Sequence, residues 1–109
     1  MGSFSAGSVV FVPFPFSDLS KAKRRPAVVL ASVDRGDWVL CQITSKSYSD
    51  ARAIILTDKD FETGSLQLVS YARPGKLFTA NESLFIFEAG ILKTSALKKI
   101  TNAVGDIFR

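Results

Sequence analysis

Positively charged and hydroxyl side chains stand in three groups along this 109-residue chain. The first group falls within five residues and comprises Lys21, Lys23, Arg24 and Arg25. The second, Thr44-Ser45-Lys46, follows an apolar run, and the third comprises Arg73 and Lys76. Guanidinium, ammonium and hydroxyl groups all donate hydrogen bonds to phosphate oxygens. A fold that brings the three groups together would therefore make a phosphate-binding site.

The chain has no histidine and a single cysteine, Cys41. The absence of histidine excludes histidine general acid–base catalysis, Ser-His-Asp triads and histidine-ligated zinc. One cysteine excludes an internal disulfide and a multi-cysteine metal site. The position of Cys41 in an apolar run predicts a buried, unreactive thiol. Any catalysis must use arginine, lysine, carboxylates, hydroxyls or backbone groups, and we expect neither a metal nor a cofactor.

The composition indicates one globular domain that spans residues 1–109. Hydrophobic residues make up 47% of the chain and charged residues 22%, which argues against disorder. The formal net charge of +4 is a mild bias toward polyanionic partners. No apolar segment approaches the roughly 18 residues of a membrane span, and the N-terminus has no signal-peptide pattern. We expect a cytoplasmic protein that does not contact a membrane.

Short runs of β-branched and aromatic residues predict six strands. They are Ser8–Phe14, Ala27–Ser32, Asp37–Ile43, Ala51–Leu56, Leu66–Ala72 and Leu84–Phe87. Pro13 and Pro15 are predicted to end the first strand, and Arg73-Pro74-Gly75 to end the fifth. Thr57–Gly64 is charged and predicts a turn. The second strand is almost continuously apolar, which predicts a central position with both faces buried.

The C-terminal segment changes to helical periodicity. Its apolar residues are three or four apart: Leu97, Ile100, Val104, Ile107 and Phe108. Thr94 or Ser95 would cap such a helix at its N-terminus. The predicted fold is therefore mainly β, a small barrel or half-barrel of about six short, mostly antiparallel strands with a C-terminal α-helix.

Topology alone predicts that two of the three polar groups meet. The second strand runs away from Arg25, and a tight turn at Asp34–Asp37 returns the third strand toward it. Thr44 ends that third strand, so it should lie beside Arg25 at the same edge of the sheet.

Three segments of the sequence, taken in order, form a recognisable pattern. The segment F-P-F-S-D-L-S-K-A-K-R-R-P-A-V-V-L-A contains an Arg-Pro step that opens an apolar strand. The segment Q-I-T-S-K ends the next strand with Ile-Thr, and S-Y-A-R-P-G-K-L-F-T matches a later strand. Together with the terminal helix, these features resemble the MazF/PemK (Kid) toxins of type II toxin–antitoxin systems. The resemblance covers nearly the whole chain.

The resemblance implies an SH3-like barrel that forms homodimers. It also implies a metal-independent endoribonuclease that cuts single-stranded RNA at short sequences and leaves 2′,3′-cyclic phosphate and 5′-hydroxyl ends. A cognate antitoxin peptide would cover the site. The family's catalytic positions correspond to Arg25, in the Arg-Pro step, and to Thr44, in the Ile-Thr step. Two departures stand out: Gly7-Ser8 replaces a common Gly-Asp, and the loop before Arg25 lacks the glutamate that some members carry.

Cleavage by the neighbouring 2′-hydroxyl of RNA fits a chain without histidine, because the substrate supplies the nucleophile. The protein must align the phosphate, stabilise the charge of the transition state and protonate the leaving oxygen. Arg25 would donate paired hydrogen bonds to the phosphate, and Thr44 would bond a non-bridging oxygen. The remaining polar residues would contact RNA: Lys21, Lys23, Arg24, Ser45, Lys46, Arg73 and Lys76.

Each assignment has an alternative. Arg25 could instead pair with an acid such as Asp18 or Asp60, and Thr44 could be an ordinary strand-end residue. Phe14, Phe16 and Trp38 could stack on bases or pack in the core or a dimer interface. Two other functions also fit the pattern: a gyrase-poisoning toxin of the same fold, and a non-catalytic RNA-binding barrel.

Overall fold

The computed structural model describes residues 4–15, 22–47 and 50–109. Within these ranges the chain forms seven strands, two short 3₁₀ helices and one α-helix. The strands are β1 (Ser8–Pro15), β2 (Ala22–Asp34), β3 (Asp37–Thr44), β4 (Ile54–Leu56), β5 (Phe61–Gly64), β6 (Ser70–Asn81) and β7 (Phe87–Leu92). The 3₁₀ helices are Asp58–Asp60 and Glu82–Leu84, and the α-helix, α1, is Thr94–Ile107.

The seven strands form one antiparallel sheet in the order β4-β6-β3-β2-β1-β7-β5. The molecule measures 33 × 32 × 30 Å, so a sheet of this width must curl strongly on itself. α1 packs against β6 and β4. The predicted class, mainly β with a C-terminal helix, is confirmed. The described sheet is a curled half-barrel with seven strands instead of about six.

β2 lies at the centre of the sheet and is buried on both faces. Val28 belongs to a core that also contains Ile43 and, from α1, Ile100. Ala27 and Val29 belong to a second core on the opposite face, which aromatic side chains cover. Because successive residues of a strand point to opposite faces, both faces of β2 need apolar residues. The prediction of a two-sided strand from its continuous apolar run is confirmed.

α1 has the amphipathic character that the periodicity predicts. Ile100 is fully buried on the face that packs against the sheet. The predicted cap is wrong, because Thr94 and Ser95 lie inside the helix and Lys93 is the N-cap residue, with no side-chain cap bond. Phe108 follows the helix and is 77% exposed, so it does not share the buried face. In the described ranges no helix is both long and apolar enough to cross a bilayer.

β1 continues through Pro13 and Pro15 instead of ending before them. The backbone groups of Pro13 and Pro15 point to the same side of β1 as those of Phe11. The Phe11 carbonyl oxygen accepts from the Ile86 N–H at 2.8 Å, so this side faces β7. The ladder with β7 ends at Phe11, whereas the ladder with β2 continues to Pro15. The nitrogens of both prolines therefore face the β7 side of β1, beyond the last residue that pairs with β7. No ladder hydrogen bond is lost there, so a proline is tolerated.

The remaining strand boundaries differ because tertiary pairing overrides local composition. Phe61–Gly64, predicted as part of a turn, forms β5 and pairs with β7. Residues 51–53 and 66–69, predicted as parts of strands, lie outside them. The last strand is Phe87–Leu92 instead of Leu84–Phe87, and a 3₁₀ turn precedes it.

Arg73-Pro74-Gly75 forms a bulge inside β6 and does not end the strand. Ala72 pairs with Ile43, and Leu77 pairs with Cys41. The four residues between Ala72 and Leu77 therefore face the single residue between Cys41 and Ile43. A bulge of this kind lets a strand continue beyond a proline that cannot donate to the ladder.

Candidate active site

A cavity of about 250 Å³ opens where β2 and β3 separate at one end of the sheet. It brings together five of the predicted site residues: Lys23, Arg24, Arg25, Thr44 and Ser45. The other lining residues are Phe11, Pro26, Ile43, Leu66, Leu68 and Ser70. Two of the three polar groups that the sequence analysis singled out therefore meet in one cavity.

The strand register explains why Arg25 and Thr44 meet. β2 pairs with β3 at Ala27 with Gln42, and a continuation of this register by two residues sets Arg25 opposite Thr44. Residues two apart on a strand lie on the same face, so both side chains share one face of the sheet. The topological prediction that the hairpin returns Thr44 toward Arg25 agrees with this arrangement.

Pro26 explains why the two strands separate at this point. Pro26 pairs with Phe11 of β1, and the ladder with β3 begins one residue later, at Ala27. The nitrogen of Pro26 faces β3 but carries no hydrogen to donate. The β2–β3 ladder therefore lacks this donor directly beyond Ala27, where the pairing ends, and the space that opens is lined by Arg25 and Thr44.

Thr44 is 2% exposed, and its Oγ1 accepts a hydrogen bond from the Lys46 N–H at 3.2 Å. A threonine hydroxyl has one hydrogen to donate and two lone pairs to accept with. Because the Lys46 N–H bonds to one lone pair of the oxygen, the hydroxyl of Thr44 keeps its hydrogen for a further bond.

Three cationic side chains of β2 surround the cavity mouth. Arg25 is half-buried and pairs with Val12 of β1, whereas Lys23 and Arg24 are exposed. The rigid strand therefore positions Arg25 against Thr44, while its two neighbours remain in contact with solvent. Clustered cations of this kind raise the local concentration of an anionic ligand.

The structure does not bring the third polar group into the cavity lining. The Arg73 Nε donates to the Asp50 Oδ2 at 3.0 Å, and Arg73 and Lys76 lie in the β6 bulge. Lys46 is exposed beside Thr44.

Lys21 falls outside the described residues, as does Asp18, one of the two acids considered as partners of Arg25. The other acid, Asp60, accepts from the Thr57 N–H at 2.8 Å and caps a 3₁₀ helix.

Sequence reasoning missed the apolar wall of the cavity. Phe11 of β1 stacks on Phe87 of β7 with ring centroids 4.7 Å apart. Phe11 and Leu66 also line an adjoining cavity of about 390 Å³, together with Gln67 and Phe87. A period-two pattern in β1 could have set Phe11 on the same face as Val9, but residues 65–70 approach only through the tertiary fold.

The predicted base-stacking aromatics do not line this cavity within the described residues. Trp38 packs in the second core, and its Nε1 donates to the Glu82 Oε1 at 3.0 Å. This contact supports the packing alternative for Trp38. The side chains of Phe14 and Phe16 lie outside the described part of the chain.

A larger cavity of about 520 Å³ lies between residues 57–59 and 67–69 and shares Leu68 with the smaller one. Its lining contains one acid and one base, Asp58 and Lys59, so it has no excess of positive charge. Volume alone would favour this cavity. The chemistry favours the smaller one, because the cations and the donating hydroxyl converge there.

Cys41 is fully buried, and its Sγ donates to the carbonyl oxygen of Arg73 at 3.2 Å. Burial raises the pKa of the thiol from its ordinary 9.0 to about 12. The thiolate is the reactive form, so the predicted unreactive thiol agrees with this environment.

Across the described ranges no group of three or more histidine, cysteine or acidic residues gathers that could hold a metal ion.

The Cys41 environment predicts an alkaline loss of stability. The unfolded thiol loses its proton near pH 9.0, whereas the folded thiol retains it to about pH 12. The folded state therefore binds more protons between these values, and the free energy of unfolding should fall as the pH rises through this interval. Urea denaturation from pH 7 to pH 11 should show a steeper fall for the wild type than for Cys41→Ala. Equal slopes would contradict the prediction.

Comparison with known proteins identifies the family. A family model of PemK-like, MazF-like toxins of type II toxin–antitoxin systems matches residues 5–108. The chain belongs to this family. The resemblance inferred from the Arg-Pro and Ile-Thr steps is therefore confirmed. A search of curated proteins finds no match.

Several solved structures share the fold of this MazF-like chain. An endoribonuclease from a mycobacterial species, in complex with its cognate antitoxin, superposes with a TM-score of 0.77 at 13% identity and covers 97% of this chain and 95% of its own. The MazE–MazF complex of Deinococcus radiodurans gives a TM-score of 0.73 at 16% identity, with 94% and 93% covered. Toxin MazF-mt6 of Mycobacterium tuberculosis gives 0.70 at 16%, with 93% and 95% covered.

Proposed function

We propose that this protein is a metal-independent endoribonuclease toxin that cleaves single-stranded RNA. The observation that carries the proposal is the cavity that Arg25 and Thr44 line together, beside the exposed cations Lys23 and Arg24. Two further facts support it. The chain belongs to the PemK-like, MazF-like toxin family, and a protein of the same fold is described as an endoribonuclease.

The proposed reaction is a transesterification within the RNA. The 2′-oxygen forms a bond to the adjacent phosphorus while the bond from phosphorus to the 5′-oxygen breaks, which leaves a 2′,3′-cyclic phosphate and a 5′-hydroxyl. The proton of the 2′-hydroxyl passes to solvent, and the leaving oxygen gains one. Arg25 stabilises the developing negative charge through paired N–H donors. It also delivers a proton to the leaving oxygen and regains one from solvent, so the guanidinium is restored at the end of the reaction. Thr44 donates to a non-bridging oxygen.

The exposed cations bind the phosphates on either side of the scissile one. Lys23 and Arg24 line the cavity, and Ser45 supplies a further hydroxyl there. Lys46 lies beside Thr44. Lys21 and Lys76 are proposed as further RNA contacts.

Replacement of Lys23 or Arg24 with alanine should weaken RNA binding mainly through lost electrostatics. Each phosphate contact contributes about 0.7 to the slope of log affinity against log salt for single strands. Each variant should therefore lower that slope by about 0.7 in fluorescence-anisotropy titrations at several salt concentrations. Arg35→Ala is the matched control, because Arg35 is exposed in the turn at the far end of β2. An unchanged slope in both test variants would show that neither Lys23 nor Arg24 contacts a phosphate of the RNA.

The proposed partners are RNA, a second copy of the chain and an antitoxin peptide. Leu68 is 65% exposed and Phe87 is 49% exposed beside the two adjoining cavities. Large apolar side chains on this face favour coverage by another chain. A toxin that degrades messenger RNA would act in the cytoplasm.

The direct test is incubation of the purified protein with a long RNA in EDTA, followed by mapping of the ends. Discrete cuts with 2′,3′-cyclic phosphate ends are expected, and Thr44→Ala should lose most of the activity. Intact RNA with specific capture of gyrase would support the alternative toxin mechanism. Binding with the stated salt slope but without cleavage would support a non-catalytic RNA-binding barrel.

A further inference from the structure

We propose that the RNA occupies two adjoining cavities: the phosphate cavity, which Arg25 and Thr44 line, and the base cavity of about 390 Å³, where one base stacks on Phe87. The inference rests on the proposed function, because it assigns a specificity-determining part of the same site. Phe87 is not among the aromatic residues that the sequence singles out for base stacking, which are Phe14, Phe16 and Trp38.

The two cavities lie side by side and share part of their walls. Phe11 and Leu66 line both of them. The base cavity is completed by Ser65, Gln67, Phe87, Glu88 and Ala89. A base and its neighbouring phosphate are joined by a single sugar, so a nucleotide bound across the shared wall places one group in each cavity.

Phe87 offers a flat apolar surface in the base cavity. Phe11 and Phe87 are direct partners across β1 and β7. Their ring centroids are 4.7 Å apart and their planes are inclined by 16°. Phe87 nevertheless remains 49% exposed, so the part of it that Phe11 does not cover stays open to a ligand. Unstacked bases of single-stranded RNA bind to aromatic faces of this kind.

The charges of the two cavities decide which part of the nucleotide each one binds. Lys23, Arg24 and Arg25 line the phosphate cavity. The described residues that line the base cavity include no lysine or arginine, and Glu88 is the one charged residue among them. A phosphate therefore gains favourable electrostatics only in the first cavity. The second suits an uncharged planar group, which is what a base provides.

Residues 65–67, which form one wall of the base cavity, are held by hydrogen bonds. The Ser65 N–H donates to the Ala89 carbonyl oxygen at 3.3 Å. The Ser65 Oγ donates to the Asp58 Oδ1 at 2.5 Å and accepts from the Gln67 N–H at 2.8 Å. Gln67 has a φ of 65°, in the left-handed region that few residues other than glycine adopt. Such a conformation persists only where surrounding contacts hold it.

Gln67 is placed to distinguish one base from another. It is exposed and lines the base cavity, so a ligand there can reach it. Its amide group carries one acceptor and two donor hydrogens, and the edges of the four bases differ in their donors and acceptors. In this assignment Phe87 supplies affinity for any base, and Gln67 supplies selectivity between bases.

An abasic scan tests the stack on Phe87. The probe is a short RNA, kept intact by one 2′-deoxynucleotide at the mapped cleavage position, in which single nucleotides are made abasic in turn. At one position next to the scissile phosphate, the abasic RNA should bind the wild type about 5- to 150-fold more weakly than the parent RNA, as expected for a lost base–aromatic stack. Fluorescence anisotropy measures both affinities.

Substitutions of Phe87 assign the lost affinity to its ring. Phe87→Leu keeps an apolar side chain without an aromatic face, so it should bind the parent RNA weakly and lose little more with the abasic RNA. Phe87→Tyr keeps the face and should behave like the wild type. Phe108→Leu is the matched control, because Phe108 is an exposed phenylalanine beyond α1 that lines neither cavity. It should retain the full abasic effect.

Substitution of Gln67 tests base selectivity. Gln67→Gly removes the amide and adopts a positive φ without strain. With four RNAs that differ only at the abasic-sensitive position, the ratio of the tightest to the weakest affinity should fall toward one in this variant. An unchanged ratio would overturn the role of Gln67.

The base cavity and the proposed function can fail separately. An RNA that is bound but never cut would overturn the proposed function, and an abasic effect that depends on Phe87 would still support the base cavity. An RNA that is cut, but has no position whose abasic effect depends on Phe87, would overturn the base cavity alone. Weaker self-association of Phe87→Leu in analytical ultracentrifugation, with the abasic effect unchanged, would also overturn it and make Phe87 a contact between two copies of the chain.

Discussion

Replacement of Arg25 with alanine is expected to abolish RNA cleavage while the protein remains folded. Loss of one preorganised donor to a transition-state oxyanion typically lowers kcat by about 10²–10³, or about 2.7–4 kcal/mol. Arg25 has a guanidinium that donates in pairs and lines the cavity together with the Thr44 hydroxyl. The decrease should therefore reach at least the upper part of that range. Single-turnover cleavage at saturating protein measures it without a contribution from binding.

Two further variants make the Arg25 result interpretable. Arg25→Lys retains the charge but loses the planar pair of donors, so it should bind RNA normally and still cleave slowly. Arg35→Ala removes an arginine from the opposite end of β2 and should cleave like the wild type. A lower melting temperature with unchanged cleavage in Arg25→Ala would instead assign Arg25 the structural ion pair considered as its alternative.

Replacement of Gly64 with alanine is expected to destabilise the protein strongly. A Cβ on Gly64 would lie 2.1 Å from the Ala89 carbonyl oxygen and 2.6 Å from the Gly90 Cα, and its φ of +73° disfavours any side chain. Backbone atoms cannot move away as a flexible side chain can. The free energy of unfolding should fall by about 3–5 kcal/mol, at the upper end of single substitutions, as measured by urea denaturation.

Gly75 provides the matched control for this substitution. It lies in the β6 bulge without a positive φ, and a Cβ added to it would have no atom within 4 Å. Gly75→Ala should therefore be neutral or stabilise by about 0.4–1 kcal/mol, because alanine restricts the unfolded chain. Equal stability of the two variants would contradict the close contact between β5 and β7.

Much of the candidate site is predictable from local sequence because one strand and one hairpin build it. The continuous apolar run after Pro26 predicts a central strand, and the tight turn at Asp34–Asp37 returns the chain toward Arg25. These two inferences need only strand periodicity and turn chemistry. They are enough to bring Thr44 to the same edge of the sheet.

The parts that sequence reasoning missed depend on contacts between distant segments. The charged residues around β5 predict a turn, but Gly64 allows this segment to lie directly against β7 as a strand. The composition around Leu66 and Leu68 predicts a strand, and these residues line the cavity instead. Neither result follows from local composition, because the pairing partner decides it.

Arg73 has an acidic partner that its residue type does not reveal. Its positive charge and its proximity to Lys76 in sequence suit an RNA contact. Its partner Asp50 lies 23 residues earlier in the chain, and no local pattern predicts that pair. The bulge that carries Arg73 arises from the register change between β3 and β6, which is visible only in the folded structure.

In the proposed reaction, RNA supplies its own nucleophile to the cavity that Arg25 and Thr44 line. One measurement tests it most directly: cleavage of a mapped RNA substrate against the same substrate with a single 2′-deoxynucleotide on the 5′ side of the scissile bond. We predict that the all-RNA substrate is cut in EDTA and that the substituted one binds equally well but stays intact. Cleavage of the substituted substrate at the same bond would contradict the account.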